Sequence, residues 1–177
     1  MAMMKAVAAH LDDFDKLLCR KVSFLTGARF FDRIMYLLSA SADGYLYILP
    51  AIAILVFDLQ GARTVFGVTL SAFGIELIIQ KAVKNLVRRE RPCESAGIQC
   101  LVKPPDKFSF PSGHTAGAFL IAAVLPVFYG FSPIPLYAWA SGVAFSRVYN
   151  GVHYPSDVIS GAILGVASAY GAMWVIL

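Results

Sequence analysis

The chain has 177 residues, 58% of them hydrophobic and only 15% charged, with a mean hydropathy of +0.68. That balance is too apolar for a soluble domain of this size and sets the chain in a bilayer. The formal net charge of +4 does not point to nucleic acid, because the basic residues gather at the ends of apolar stretches and in three short polar islands rather than along one stripe.

Residues 3–26 carry Val7, Leu11, Phe14, Leu17 and Leu18 at helical spacing opposite Asp12, Asp13 and Lys16, the pattern of a helix lying on the membrane. His10 falls on this helix and reads as an interfacial side chain. The apolar stretch is short and broken by Asp12, Asp13 and Asp15, unlike a cleavable signal peptide, so insertion is expected to use the mature spans. Residues 28–41 hold Arg29, Asp32 and Arg33. A charge at the centre of a span costs roughly 2.5–3.5 kcal/mol, which makes a second interfacial helix the expectation there.

Spans are predicted at 43–58, 62–88, 113–130, 132–150 and 155–177, each near the ~20 residues a bilayer needs. The turns between them are marked by Gly61, by Gly130 with Pro133 and Pro135, and by Gly151 with Pro155. The one long connection, 89–111, contains Pro92, Pro104, Pro105 and Pro111. The expected fold is therefore an all-α integral membrane protein: a bundle of about five to six transmembrane helices at 43–177, preceded by amphipathic interfacial helices at 1–41. With five spans, the helix ends near 88, 113, 150 and 155 share one membrane face. A sixth span from 22–41 would bury charges.

Those ends carry the polar islands Lys84–Pro92, Pro111–His114 and Ser146–Asp157. Ser112 is a good N-cap, Gly113 admits a ligand close to the backbone, and the first-turn N–H groups with the helix dipole form an anion site. Taken singly, the triplet also fits a capped helix with no ligand. Pro155 suits the first position of the next helix, so Asp157 falls in its first turn, where it can reach back to His153 and fix its tautomer. A neutral, oriented histidine is a nucleophile; Asp157 as a simple cap is the plainer alternative. Arg147 follows the apolar run 136–145 and calls for a partner or for snorkelling to the surface. Arg88 and Arg89 read as a topology anchor after a span. Glu76, Gln80 and Lys84 recur every four residues and suggest a hydrogen-bond network on one helix face. Trp139 and Trp174 read as interface anchors.

Assembled, Lys84…Arg91-Pro92, Pro111-Ser112-Gly113-His114 and Ser146-Arg147…His153…Asp157 resemble the signature of the type 2 phosphatidic acid phosphatase superfamily, with all eleven specified identities in order. The resemblance implies that His153 attacks phosphorus to form a phosphohistidine, that Asp157 orients it, and that His114 protonates the leaving oxygen and then activates water. It also implies that Lys84, Arg91, Ser112, Gly113 and Arg147 hold the phosphoryl oxygens. Phosphoryl transfer needs alignment and charge stabilisation, which three cations and helix-start amides supply without cofactor or metal. Two histidines and one aspartate among cations are a poor metal site.

The implied function is hydrolysis of a membrane lipid phosphate monoester or diphosphate: undecaprenyl diphosphate, phosphatidylglycerol phosphate, phosphatidic acid or a lipid A phosphate. Phosphate transfer between lipids and catalytically silent lipid binding are the alternatives. Two signals bear on the membrane face. Cys93 and Cys100 are close enough in the long loop for a disulfide, which needs an oxidising compartment; Lys5, Lys16, Arg20, Lys21, Arg29 and Arg33 favour the cytosol. The expectation adopted is a bacterial inner membrane with a periplasmic site.

Overall fold

The computed structural model describes residues 2–57 and 61–177. The expected end of the first span at position 58, and the side chains of Lys5 and Val7, lie outside the described residues. In chain order the helices are α1 (Ala2–Ser23), α2 (Arg29–Ala40), a 3-10 turn (Gly44–Tyr47) running into α3 (Ile48–Phe57), α4 (Ala62–Val87), the short α5 (Pro92–Ser95), α6 (Gly113–Tyr129), α7 (Ile134–Tyr149) and α8 (Pro155–Ile176). No strand occurs among the described residues. The boundaries follow local chemistry: Pro155 opens α8, Pro135 sits in the first turn of α7, and Gly130 closes α6 at φ 65°, where only a residue tolerating the left-handed region fits cheaply.

α4 and α8 are long and apolar enough to cross a bilayer by length and composition. α6 and α7, with 17 and 16 residues, are shorter. α6 is the centre of the bundle: from Thr115 to Val124 every residue except Phe119 is buried, and it packs on α8, α4 and α7. Its tightest contact rests on Gly161 and Gly165 of α8. A Cβ at Gly161 would strike the carbonyl of Ser112, and one at Gly165 that of Ala116. This G-x-x-x-G spacing brings two helix backbones together where lipid tails give no hydrophobic drive. It also sets the start of α6 beside the start of α8, joined by Ser112 N–H to Asp157 O at 3.1 Å. Outward, Leu70, Ile78 and Leu86 of α4 and Ile159, Ile163 and Trp174 of α8 are exposed, an apolar exterior that suits lipid as solvent.

The N-terminal helices dock on this core. α1 buries Asp15 and Cys19 and turns Leu11, Phe14 and Leu17 outward. α2 packs on α7 with Met35 and Ser39 inward, and its Asp32 accepts a hydrogen bond from Tyr149 Oη at 2.5 Å, so one of its three charges is satisfied by protein. Trp139 is partly buried: its Nε1 donates to Ser41 Oγ at 2.9 Å, and its ring packs against two core clusters.

Candidate active site

The loop from Arg88 to Pro111 folds back over the ends of α4 and α7. Ser109 N–H donates to Arg89 O at 2.9 Å, Leu101 N–H to Asn150 O at 3.1 Å, and Cys93 N–H to Gly151 O at 3.2 Å. Gly151, at φ 72°, faces the carbonyl of Gln99, which a Cβ would meet at 2.5 Å, so glycine is required at this crossing on both counts. Cys93 and Cys100 are joined as a disulfide, which closes the loop on itself.

This fold brings the three islands together. Arg91 is fully buried; its Nη1 donates to Val152 O at 2.6 Å and lies 3.4 Å from His153 Nε2. Arg147, only 3% exposed, donates from Nη1 to Ser39 Oγ at 2.5 Å, while its Nε and Nη2 have no partner. His114 and Arg147 line one polar cavity of about 360 Å³ together with Ser39 and Asp43. Ser112 occupies the N-cap of α6, but its hydroxyl makes no cap bond; it pairs instead with Thr115 Oγ1 at 3.0 Å, leaving the first-turn N–H groups of α6 uncapped by that side chain. Gly113 is overlain by the Gln80 amide, which a Cβ would displace.

His153 is buried in the turn between α7 and α8. Burial pushes its pKa well below the ordinary histidine value; Asp157 opposes the shift, while Arg147 and then Arg91 reinforce it, so the imidazole is neutral and able to act as a nucleophile. Its Nδ1 faces Asp157 Oδ2 at 3.6 Å, an electrostatic contact rather than a hydrogen bond. Asp157 is itself held from two sides: Oδ2 accepts from Tyr154 N–H at 2.8 Å and Oδ1 from Arg89 Nη1 at 2.8 Å. The carboxylate is thus the cap of α8 and also the neighbour of the imidazole, without a hydrogen bond to it.

Four participants were not anticipated. Arg89, read as a surface anchor, is 18% exposed in its side chain. It bridges Asp157 to Asp15 and Asp12 of α1 at 2.8 and 3.1 Å, bonds Ser156 Oγ at 2.7 Å and lies 4.0 Å over the Tyr154 ring. Desolvation works against its charge, but Asp157 followed by Asp15 and Asp12 outweighs it and holds its pKa above the usual arginine value. Asp15 also accepts from Ser156 N–H at 3.1 Å and from Ser156 Oγ. Asp43 Oδ1 accepts from His114 Nε2–H at 2.8 Å. Asp106 spans Lys84 Nζ at 2.5 Å and Arg91 Nη2 at 2.6 Å, the two cations expected to hold phosphoryl oxygens. Burial opposes its ionisation, yet Lys84 and then Arg91 keep its carboxyl below the usual range. Its two carboxylate oxygens take one cation each.

The PAP2 superfamily model matches residues 64–177, and the chain belongs to that superfamily. It is 41% identical over 83 residues to a decaprenylphosphoryl-5-phosphoribose phosphatase of Mycobacterium tuberculosis, covering 47% of this chain and 45% of that one. It is 31% identical over 140 residues to an undecaprenyl-diphosphatase of Sulfolobus acidocaldarius, covering 75% and 64%. The chain spans about half to two thirds of the length of these curated relatives. The crystal structure of Aquifex aeolicus LpxE superposes with a TM-score of 0.77 at 25% identity over 89% of this chain and 93% of that one. A phosphatidylglycerolphosphate phosphatase of Bacillus subtilis superposes at 0.78 over 98% and 90%, with 23% identity, and so shares the fold.

Proposed function

We propose that this protein is a metal-independent phosphatase of membrane lipid phosphates that works through a phosphohistidine on His153. The observation that carries the reading is Arg147: a buried guanidinium with two unpartnered nitrogens that faces a polar cavity shared with His114, and that among the described residues forms no ion pair, Asp43 and Asp106 acting on it only from a distance. A buried charge left unpaired is expensive, and a bound phosphoryl group removes the cost.

On this reading Lys84, Arg91 and Arg147 bind the phosphoryl oxygens, Asp106 yielding its place to them, with the Ser112 hydroxyl and the first-turn N–H of Gly113 completing the cradle. His153 Nε2, the ring nitrogen on the side of Arg91, attacks phosphorus. The bond from phosphorus to the lipid oxygen breaks, and His114 gives that oxygen its proton. Water then attacks the phosphohistidine, His114 takes the water proton, the P–N bond breaks, and inorganic phosphate leaves. Asp157 stabilises the cationic imidazole as the first bond forms; Asp43 gives His114 a partner when it is protonated.

α3, α4, α6, α7 and α8 cross the bilayer, and α1 and α2 lie at the face that carries the site. The Cys93–Cys100 bond supports a periplasmic site on a bacterial inner membrane. The hydrocarbon chain of the substrate enters a groove of about 570 Å³ that runs from His114 along α4 toward α3. Undecaprenyl diphosphate, phosphatidylglycerol phosphate, phosphatidic acid and lipid A phosphate are the candidate substrates. The test is His153→Ala in purified protein. Phosphate release falls below a few percent of wild type, and acid-labile label from phosphorus-labelled lipid, present on the wild-type protein after rapid quench, disappears. Retained turnover in this variant would remove His153 as nucleophile.

A further inference from the structure

The lipid groove is not lined as a hydrocarbon slot should be. Its wall on α4 carries Thr69, Phe73, Glu76 and Gln80 at helical spacing, and Tyr47 closes it from the 3-10 turn. The hydrogen-bond network expected among Glu76, Gln80 and Lys84 does not form around Glu76: Lys84 is engaged by Asp106, and Glu76 Oε1, in a residue 2% exposed, has no hydrogen-bond partner. Two further buried polar atoms of the same groove, Tyr47 Oη and Thr69 Oγ1, also lack partners. The three orphaned polar atoms belong to residues that line one cavity and lie buried in its wall. Each costs on the order of 1–3 kcal/mol when left buried and unpaired, and a purely hydrocarbon occupant would satisfy none of them.

Their depth indicates what satisfies them. Tyr47 Oη lies where a Cβ on Gly117 would meet it at 3.2 Å, one turn of α6 beyond Gly113, or about 6 Å along the axis. Glu76 lies two turns of α4 from Lys84, about 12 Å. Tyr47 stacks on Phe73 with ring centroids 5.6 Å apart, which holds the phenol against the wall that bears Glu76. Hydrogen-bonding atoms are therefore offered to a ligand between one and two helical turns below the phosphate site. A prenyl phosphate presents only hydrocarbon there. A lipid whose phosphate is joined to its chains through glycerol esters or a sugar presents carbonyls and hydroxyls. A phenol donates to the former or accepts from the latter, and a carboxyl accepts from a hydroxyl or, when protonated, donates to a carbonyl.

We infer that Tyr47 and Glu76 form a linker subsite that selects lipid phosphates with an oxygen-bearing linker between the phosphate and the hydrocarbon. This rests on the reading of the site as a lipid phosphatase. A site built to hydrogen-bond its ligand rejects an analogue lacking those groups far more strongly than one that only measures size.

The experiment compares dioleoyl phosphatidic acid, its diether analogue and farnesyl monophosphate with the purified full chain in detergent, for wild type, Tyr47→Phe and Glu76→Leu. Wild type favours phosphatidic acid over farnesyl phosphate in kcat/KM by at least about tenfold. Each variant lowers kcat/KM for phosphatidic acid by about tenfold and leaves farnesyl phosphate within about twofold. Because Tyr47 Oη and Glu76 Oε1 have no hydrogen-bond partner in the protein, neither variant lowers the melting temperature. A diether that behaves like farnesyl phosphate assigns the ester carbonyls; one that behaves like phosphatidic acid assigns the remaining linker oxygens. Equal losses on all substrates, no loss on any, or a wild-type preference for farnesyl phosphate would overturn the linker subsite while leaving the phosphatase intact. No phosphate release from any lipid would overturn the phosphatase reading itself.

Discussion

Replacing Arg89 tests whether the N-terminal helix belongs to the catalytic apparatus. Its guanidinium faces Asp157, Asp15 and Asp12, whose side chains are 0%, 5% and 41% exposed. In Arg89→Ala the first two carboxylates lose their counter-charge while still shut off from water, and removing one partner of a buried pair costs about 3–5 kcal/mol. The exposed Asp12 contact adds little. Tyr154 N–H and Ser156 N–H still hold Asp157 and Asp15, so the expected loss sits near the lower bound, about 3 kcal/mol. Asp157 then shifts relative to His153, and a displacement on the order of 1 Å lowers kcat by about 10- to 100-fold with little change in KM. The assay pairs thermal unfolding in detergent with phosphate release from dioleoyl phosphatidic acid. Arg88→Ala serves as control, since Arg88 is exposed and its Nε reaches only Asn85 O. Arg89→Lys, which keeps the charge but loses the fork, falls between Ala and wild type. Wild-type stability and kcat in Arg89→Ala, or equal effects from Arg88→Ala, would refute the reasoning.

Asp106→Asn removes the internal anion between Lys84 and Arg91, so orthovanadate and inorganic phosphate bind more tightly, by about tenfold or less because Asp106 is 45% exposed and screened; unchanged inhibition constants would show that Asp106 does not occupy the phosphate position. His153 has a folded pKa of about 3 against an ordinary 6.5, so the unfolded chain takes up the extra proton first. That contribution to stability is complete above pH ~6.5 and shrinks as the pH falls toward the folded value, by about 1.4 kcal/mol between pH 7.5 and 5.5. Denaturant titrations at the two pH values measure it, and His153→Asn flattens the difference. For the cysteines, a thiol reagent applied to unreduced, denatured protein labels Cys19 alone; labelling of Cys93 and Cys100 in freshly isolated membranes would place the loop in a reducing compartment. Saturating EDTA leaves hydrolysis intact, because Lys84, Arg91 and Arg147 supply the positive charge; reversible loss restored by a divalent ion would require a metal site.

The sequence by itself determined the helices and the list of groups that meet at the site. Apolar runs closed by Gly130 or opened by Pro135 and Pro155 are local signals, and the predicted ranges fall within two residues of α4, α6, α7 and α8, whereas α3 starts only at Ile48 because a 3-10 turn takes up Gly44–Tyr47. The three islands were legible because each sits at a helix end, where the switch from apolar to polar residues is a local signal. What only the tertiary structure decided was partnership. Arg88 and Arg89 are identical neighbours in the chain, yet the left-handed turn at Arg88, with φ 51°, sends one to solvent and the other onto Asp157. Asp43 finds His114 across 71 positions, and Asp12 finds Arg89 across 77. Glu76 lies at helical spacing from Gln80 and Lys84, and spacing alone implied a network, but Lys84 turned to Asp106 instead. Periodicity fixes which face of a helix a side chain occupies; which charge it meets there depends on how distant segments pack, at a range of a few ångströms that no local pattern encodes.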